Sequence, residues 1–204
     1  MELELITKIM NSLYEGIDGY MISSSARKKL PFYDKAHTYG EVLPESFQKI
    51  LAAVEPKKNE VFYDLGSGTG KAVFLSALLF PFSKVVGIEK LSELWQTSRL
   101  IQNKFDQEVR PGLPNEKKDL KINLVRGDFL EVDFFDADII FAHSTCFHDE
   151  FMDHLQRRFL HLKKGARIIT VTKNLTLPIL DYIKTEVHRL SWGNSTIHYY
   201  QKAL

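Results

Sequence analysis

From Val61 onward, short apolar segments of strand character alternate with helical segments, and this alternation restricts the possible folds more than any other feature. Strands are predicted at VFYDL, KVVGIE, KINLVRGD, ADIIFAHS and ARIITVTK, and helices at KAVFLSALLF, LSELWQTSRLIQNKF and DEFMDHLQRRFLHL. Strands joined through helices pair in parallel by right-handed crossovers, which predicts a doubly wound α/β sheet. Two further strands, around TEVHRLSW and TIHYYQK, are separated by a few residues near Gly193 and Asn194 and are expected to form an antiparallel hairpin. The sequence therefore predicts a mixed sheet of seven strands.

The first 60 residues have a different character. LELITKIMNSL and PESFQKILAAV place apolar residues at helical spacing, whereas GIDGYMISSSARKKLPFYDK between them is rich in turn-forming residues and predicts a loop. We expect a helical N-terminal extension over residues 1–60, followed by one domain over residues 61–204. Within that domain, EVRPGLPNEKKD predicts a surface loop.

The charge balance and the apolar content limit the classes of partner. The net charge is +1, so the overall electrostatics favour neither nucleic acid nor an anionic membrane. Basic residues form short groups at 26–29, 57–58 and 117–118, which are expected to be solvated and do not make the rich basic patch of a nucleosome-binding surface. The longest apolar run, AVFLSALLFPF, is about half as long as a membrane span and predicts a buried helix. We therefore expect no membrane partner, and these basic groups leave the binding of a nucleosome an open question.

The cysteine content and the first residues bear on the cellular compartment. Cys146 is the single cysteine, so the chain forms no internal disulfide and fits a reducing compartment. MELELITKIM carries acidic residues where a signal peptide would carry basic ones. These features predict a cytoplasmic protein.

The stretch DLGSGTGK, at 64–71, follows the first predicted strand of the domain and looks at first like a phosphate-binding loop. A phosphate loop of the GxxxxGK[ST] type would need glycine and a hydroxyl where this chain has Leu65 and Ala72. The dinucleotide pattern GxGxxG also fails, because Gly66, Gly68 and Gly70 are spaced two and two. Glycines at alternate positions instead let the backbone pass close beneath a bulky ligand at the carboxyl end of the sheet.

Two acidic residues indicate which ligand that is. Asp64, at the end of the first strand, would repel a phosphate and attract a cation such as an amino group. Glu89 ends the next strand, where an acidic residue binds the hydroxyls of a ribose. A nucleoside that carries an amino acid and no phosphate satisfies both, and S-adenosylmethionine is such a molecule.

Six segments together indicate a protein family. They are TYGEV, VFYDLGSGTGKAVF, VVGIEK, RGDFL, DIIFAHSTCF and SWGNSTIHYY. Their order and spacing, from about residue 32 to residue 201, resemble the catalytic core of the histone lysine methyltransferases that lack a SET domain, called disruptor of telomeric silencing. The glycine motif is typical of a whole superfamily, whereas the combination with TYGE and SW…YY is far more specific. The resemblance implies a Rossmann-like, seven-stranded methyltransferase that uses S-adenosylmethionine and transfers a methyl group to a lysine amine of a protein substrate.

The resemblance also implies a role for individual residues on the cofactor side. Glu41 and the glycine loop would hold the methionine portion, Glu89 the ribose, and Asp128 the adenine amino group beside Phe129. The TYGE segment would fold over the cofactor as a lid. Lys71 stands where the family has glutamine. The full set expected at the cofactor is Tyr39, Glu41, Asp64, Gly66, Ser67, Gly68, Gly70, Lys71, Glu89, Lys90, Asp128, Phe129 and Phe147.

On the acceptor side, the sequence departs from the family. His143 and Ser144 replace asparagines near the lysine channel, and Trp192 and Tyr199 match aromatic positions beside it. These four are the predicted catalytic residues, although both aromatic side chains are also expected to lie partly in the core. Imidazole can carry a charge near neutrality, so activity is expected to rise with pH as His143 becomes neutral. The spacing of the histidines around Cys146 matches no structural zinc pattern, so no metal site is predicted.

Methyl transfer from an activated cation needs positioning and desolvation more than covalent help. A lysine acceptor must first lose its proton, against a free pKa of about 10.4. A narrow apolar channel beside a sulfonium would favour the neutral amine. Two alternatives stay open: methylation of a small molecule or another nucleophile with His143 as the base, and a cofactor-binding module without transfer activity.

Overall fold

The structure is a computed structural model that describes residues 1–31, 36 and 38–203. Its helices are Leu3–Leu13 (α1), Gly19–Lys28 (α2), Pro44–Ala52 (α3), Lys71–Leu79 (α4), Ser92–Lys104 (α5), Asn115–Lys118 (α6) and Asp149–Phe159 (α7). Its strands are Val61–Leu65 (β1), Lys84–Glu89 (β2), Lys121–Arg126 (β3), Ile139–Ala142 (β4), Arg167–Val171 (β5), Leu180–Leu190 (β6) and Gly193–Lys202 (β7). None of the helices within the described ranges is long and apolar enough to cross a membrane.

The strands form one seven-stranded sheet in the order β3-β2-β1-β4-β5-β7-β6. The pairs among β1 to β5 are parallel, whereas β7 runs antiparallel to both of its neighbours. This confirms the predicted mixed, doubly wound sheet. The order reverses between β1 and β4, so the carboxyl ends of β1, β2 and β4 open onto the position where such sheets bind ligands.

Two layers of helices cover the sheet. Alternate strand residues such as Phe62 point to one face, where they pack with α1, α3 and α4, and residues such as Tyr63 point to the other, where α7 packs. Ile6 of α1 and Phe47 of α3 are fully buried in the first of these clusters. Residues of the predicted N-terminal extension therefore share the core of the sheet.

The sequence prediction is wrong at α2, where it gave a loop. Asp18 caps this helix by accepting a hydrogen bond from the Met21 amide at 2.9 Å, and small residues such as Ser23 and Ala26 form its buried face. Ala26 packs with Leu91 and Leu94, so contacts with the start of α5 stabilise a segment of weak helical propensity. The rest of the predicted loop includes residues 32–35, which lie outside the described residues.

The predicted surface loop at 108–119 contains short helical turns, and one of its lysines is not solvated. Lys117 is buried, and its Nζ donates hydrogen bonds to the carbonyls of Ala77, Leu78 and Phe80 at 2.9, 2.6 and 3.0 Å. These carbonyls lie at the carboxyl end of α4, where a helix leaves carbonyls without intrahelical partners. Burial lowers the pKa of Lys117 to about 8.

The hairpin of β6 and β7 is present, but its turn lies earlier than predicted. Leu190 pairs with Gly193, so Ser191 and Trp192 form the connection and Gly193 and Asn194 already belong to β7. The Ser191 amide donates to the Glu41 carbonyl at 3.2 Å. This contact brings the tip of the hairpin to the segment that precedes α3.

Candidate cofactor and acceptor site

The glycine loop at 66–70 connects β1 to α4. Gly66, Gly68 and Gly70 have φ angles of 86°, 55° and 85°, in the left-handed region that favours glycine. At Gly68 a Cβ would lie 2.4 Å from Cε2 of Tyr39, so a side chain there would displace the tyrosine. Glycine at this position is therefore required both by the backbone and by the packing of Tyr39.

Glu89 connects the end of β2 to this loop. Its Oε2 accepts a hydrogen bond from the Gly68 amide at 2.8 Å, and its Oε1 accepts one from the Leu91 amide at 2.7 Å. The side chain is buried, and burial raises the pKa of Glu89 above its ordinary value. The carboxylate that was predicted to bind a ribose thus lies in the wall of the cleft, held in place by two backbone donors.

Asp64 is the second buried carboxyl. It lies within β1 and is 3% exposed. Burial, and then the negative charge of Glu89, raise the pKa of Asp64 to about 8. Since a nearby cation would favour the ionised form of both carboxyls, this pair is suited to a ligand with a positively charged group.

A segment that we call the strap, residues 38–42, lies over the glycine loop. The Tyr39 hydroxyl donates to Oε1 of Glu41 at 2.9 Å and lies 2.8 Å from Oγ1 of Thr69. Lys71, in the first turn of α4, forms an ion pair with Oε2 of Glu41 at 2.5 Å, and its Nζ lies 4.9 Å from the centre of the Tyr14 ring. The Tyr14 hydroxyl in turn donates to the Thr69 carbonyl at 2.9 Å. Lys71 therefore anchors the strap to the loop beneath it.

The strap, the glycine loop and the ends of β2 and β4 enclose a cleft of about 720 Å³, part of which is open to solvent. A smaller pocket of about 320 Å³ adjoins it. Tyr39, Gly66 and His143 line both. The cleft is concave and combines aromatic rings with a few carboxylates, as small-molecule sites commonly do.

Most of the predicted cofactor residues meet at these two spaces. Those lining the larger cleft are Tyr39, Gly66, Glu89, Lys90, Asp128, Phe129 and Phe147. Those lining the smaller pocket are Tyr39, Glu41, Asp64, Gly66, Ser67 and Lys71. Gly68 and Gly70 shape the loop without lining either space within the described ranges.

The far end of the larger cleft is aromatic. The ring of Phe129 lies 5.8 Å from that of Phe147 and 5.4 Å from that of Phe151, measured between centroids. Beside them, Lys90 Nζ lies 2.8 Å from Oδ2 of Asp128. Sequence reasoning missed Phe151, although its position four residues after Phe147, at the start of α7, was a usable signal. The arrangement provides flat apolar surfaces next to a carboxylate, which suits a planar ring bearing an amino group.

His143 follows the last residue of β4 and stands where the two spaces meet. Its ring lies edge-on to that of Trp192, with centroids 4.4 Å apart, and a Cβ on Gly40 would lie 3.1 Å from its Cε1. Nε2 of His143 is buried and has no hydrogen-bond partner among the described residues. Burial lowers the pKa of His143 to about 4, so the imidazole is neutral near pH 7. The prediction that His143 changes its charge near neutral pH is therefore wrong, because burial keeps the imidazole neutral there.

The other three predicted catalytic residues lie differently. Ser144 is fully buried, and its hydroxyl donates to the Val171 carbonyl at 2.8 Å. Tyr199 is also fully buried, because it pairs with Ile169 inside the sheet and not at the carboxyl end of β5. Trp192 is 39% exposed in the hairpin turn, where its Nε1 donates to Oγ of Ser195 at 3.1 Å. Of the four, His143 lines the cleft, and Trp192 packs against the His143 ring without lining either space within the described ranges.

Comparison with known proteins identifies a matching family. The sequence model of the protein family described as "Histone methylation protein DOT1" matches residues 21–188 of this chain. A protein of Emericella nidulans named histone-lysine N-methyltransferase, H3 lysine-79 specific, is 31% identical over 180 residues, which cover 78% of this chain and 34% of that protein. A Caenorhabditis elegans protein of the same name is 32% identical over 151 residues, covering 69% of this chain and 15% of that protein. The chain thus spans about a third, or less, of the length of these relatives.

Solved structures share the fold at low sequence identity. An RNA methyltransferase from Salinibacter ruber in complex with S-adenosyl-L-homocysteine has a TM-score of 0.60 and 18% identity, with 78% of this chain and 91% of that chain covered. TrmN from Thermus thermophilus has a TM-score of 0.62 and 19% identity, with 82% and 51% covered. The likeness covers about four fifths of this chain and shows the class of fold.

Proposed function

The chain belongs to the DOT1 family of histone methylation proteins, and on that premise we propose that it is an S-adenosylmethionine-dependent methyltransferase that acts on a lysine of a protein. The observation that carries the proposal is the cleft itself. A glycine loop, two buried carboxyls, an aromatic end and a neutral imidazole converge where β1, β2 and β4 end. The fold, which a solved RNA methyltransferase shares, is compatible with the methyltransferase part of this proposal.

The donor side of the cleft fits S-adenosylmethionine in its charge. Asp64 and Glu89 would attract the amino group and bind the ribose hydroxyls, whereas a phosphorylated nucleotide would meet like charge there. Phe129 and Phe147 would stack on the adenine, with Asp128 as acceptor for its amino group. When bound, the cofactor supplies a methyl group on a positively charged sulfur.

The acceptor side would hold an uncharged amine close to His143. A neutral imidazole adds no positive charge that would repel an amine or a sulfonium, and its buried Nε2 is free to accept a hydrogen bond. Trp192 and the backbone at Gly40 close the space around this ring. Such an apolar surrounding favours the unprotonated lysine that the reaction needs.

The alternative in which His143 is the base for another nucleophile is less well supported. A general base works best when its pKa lies near the working pH, and burial holds the pKa of His143 at about 4. The names of the relatives favour a histone as the acceptor, and methylation of a histone would require this protein to reach chromatin. The cytoplasmic location predicted from the sequence stays a prediction.

Calorimetry on the 204-residue chain tests the cofactor assignment. We expect S-adenosylhomocysteine to bind, and Glu89→Ala to weaken binding at least about tenfold, since it removes a carboxylate that orders the loop. Glu93→Ala, at an exposed carboxylate on α5 paired with Lys29, is the matched control and should bind normally. Equal affinity for ATP or NAD would contradict the assignment. Binding without methyl transfer to any protein would favour a cofactor-binding module.

A further inference from the structure

The edge strand β6 is long and open. It contains 11 residues, and β7 is the one strand that pairs with it within the described ranges. Tyr182, Ile183 and Val187 are 60%, 43% and 65% exposed. An open groove, lined by residues of α1 and α3, runs beside its end at Val187 and Arg189. A long edge with exposed apolar residues is a template for pairing with another strand.

The backbone of β6 offers hydrogen-bonding groups along this edge. On the other side of β7, the amide of Thr172 donates to the carbonyl of Thr196. Along an antiparallel strand, successive residues direct their backbone groups alternately to one neighbouring strand and to the other. The even-numbered residues of β7 therefore direct their amides and carbonyls to β5. Thr185, Val187 and Arg189 pair with even-numbered residues of β7. Their own amides and carbonyls therefore point away from β7, toward the open edge.

The side chains of this strand are complementary to themselves. The segment IKTEV, at 183–187, has opposite or matching chemistry at equal distances on either side of Thr185. When two copies run antiparallel about Thr185, Lys184 faces Glu186 on both sides of the axis, and Val187 faces Ile183 at the register shift. Opposite charges and paired aliphatic residues across strands each stabilise a sheet by about 0.2–1 kcal/mol.

Neighbouring registers lack this complementarity. Pairing about Glu186 would place Glu186 opposite its own copy, and pairing about Lys184 would do the same for Lys184. Like charges directly opposite each other are destabilising. An unrelated basic or acidic peptide would leave one of the two charges unmatched. The charge pattern therefore favours a second copy of this chain over such a peptide.

We propose that β6 pairs antiparallel with β6 of a second copy, about a two-fold axis at Thr185, and joins the two sheets into one. Such a contact is isologous, the usual geometry of dimers. The register shift between Tyr182 and Lys184 shortens the regular ladder, so the dimer is weak. The proposal is independent of the methyl-transfer reaction.

Sedimentation equilibrium on the 204-residue chain, with a mass of 23.6 kDa for one copy, tests this pairing. We expect a dimer to appear as the concentration rises toward about 1 mM. The single substitutions Lys184→Glu and Glu186→Lys each place like charges opposite each other, and each should weaken association about tenfold or more. An equal mixture of the two variants should regain the dimer, because the acidic pair of one then faces the basic pair of the other.

The mixture separates this interface from an effect inside one chain, where Lys184 and Glu186 are also paired at 3.0 Å. Hydrogen exchange provides a second readout: protection that grows with concentration should appear at the amides of Thr185 and Val187. A wild-type chain that stays monomeric at about 1 mM, or a dimer that survives both single substitutions, would overturn the proposal. Amides already protected in a monomer would assign the edge to another segment or partner and would overturn it as well.

Discussion

At the scale of single residues, the site concentrates unfavourable electrostatics. Asp64 and Glu89 are both buried, and the charge of Glu89 adds to the cost of ionising Asp64. Two backbone amides compensate Glu89, whereas the pKa of Asp64 is raised to about 8. Residues that bind ligands commonly lower the stability of the fold, because their partner arrives with the ligand.

Replacing Asp64 should therefore stabilise the protein while weakening cofactor binding. The pKa of Asp64 has its ordinary value of 3.8 in the unfolded chain and is raised to about 8 in the folded chain. The contribution of the protonated Asp64 carboxyl to the free energy of unfolding is therefore fully present below about pH 4, and it is lost as the pH rises through 8. Asp64→Asn removes this loss and should gain on the order of a few kcal/mol at pH 8 to 9, with a smaller gain near pH 5. Chemical denaturation at both pH values measures the difference. A gain that does not depend on pH would contradict the titration of Asp64.

The same residue should make cofactor affinity depend on pH. A cationic amino group binds the ionised carboxylate, and below about pH 8 that carboxyl holds a proton in the free protein. The affinity for S-adenosylhomocysteine should rise with pH toward 8 and then level off, and Asp64→Asn should flatten the curve. Calorimetry in buffers of different ionisation enthalpy would detect the released proton. An unchanged curve in the variant would assign the proton to another group.

His143 should leave the pH profile of methyl transfer unchanged near neutrality. Since its pKa lies at about 4, the imidazole is neutral throughout the range from pH 6 to 9, and the proton of the acceptor amine controls the rate. His143→Asn should reduce kcat/KM by about tenfold or less without shifting the profile. Initial rates at saturating cofactor measure this. A profile that moves in the variant would show that His143 does titrate in the working range.

At the scale of elements, the strap connects the cofactor side to the acceptor side. Its Tyr39 packs over Gly68 and bonds to Glu41 and Thr69, and its Gly40 contacts the ring of Trp192 closely. The hairpin turn holds the strap from the other side through Ser191. A substitution in the strap should therefore alter both the cofactor side and the acceptor side of the cleft.

Tyr39→Phe tests the strap with little loss of packing. The variant keeps the ring over the glycine loop but removes the hydroxyl that joins Glu41 and Thr69, so cofactor affinity should fall about fivefold and the amides of residues 39–41 should exchange faster. Tyr182→Phe, at an exposed tyrosine of β6, is the matched control and should change neither. Unchanged exchange in Tyr39→Phe would mean that packing alone holds the strap.

The elements also show what the sequence could and could not predict. Strands such as KVVGIE are buried on both faces, so their apolar runs were readable, and the order of strands and helices determined the parallel pairing. The α2 helix was missed because its serines suit turns and its stability comes from packing on α5. Ser144 and Tyr199 were assigned to the site by position, but their orientation depends on register and local turns that the sequence pattern does not specify. For the same reason, the burial of Lys117 against α4 was not foreseen.

At the scale of the whole molecule, the residues before β1 are part of the same structure as the sheet. Ile6, Met10 and Leu13 of α1 lie in the cluster that includes α4, which begins at the glycine loop. The segment that follows leads into the strap. The proposed division into an extension or lid at 1–60 and a cofactor domain at 61–204 is therefore a division of roles within one core.

The most direct test of the proposed function is mass spectrometry of proteins after incubation with S-adenosylmethionine carrying a deuterated methyl group. The acceptors should include histone octamers, nucleosomes and a protein lysate, with Glu89→Ala as the inactive comparison. We expect labelled methyl groups on Nζ of lysine residues, with the wild-type chain and not with the variant. Label confined to small molecules or to other side chains, with cofactor binding intact, would contradict lysine methylation as the activity of this chain.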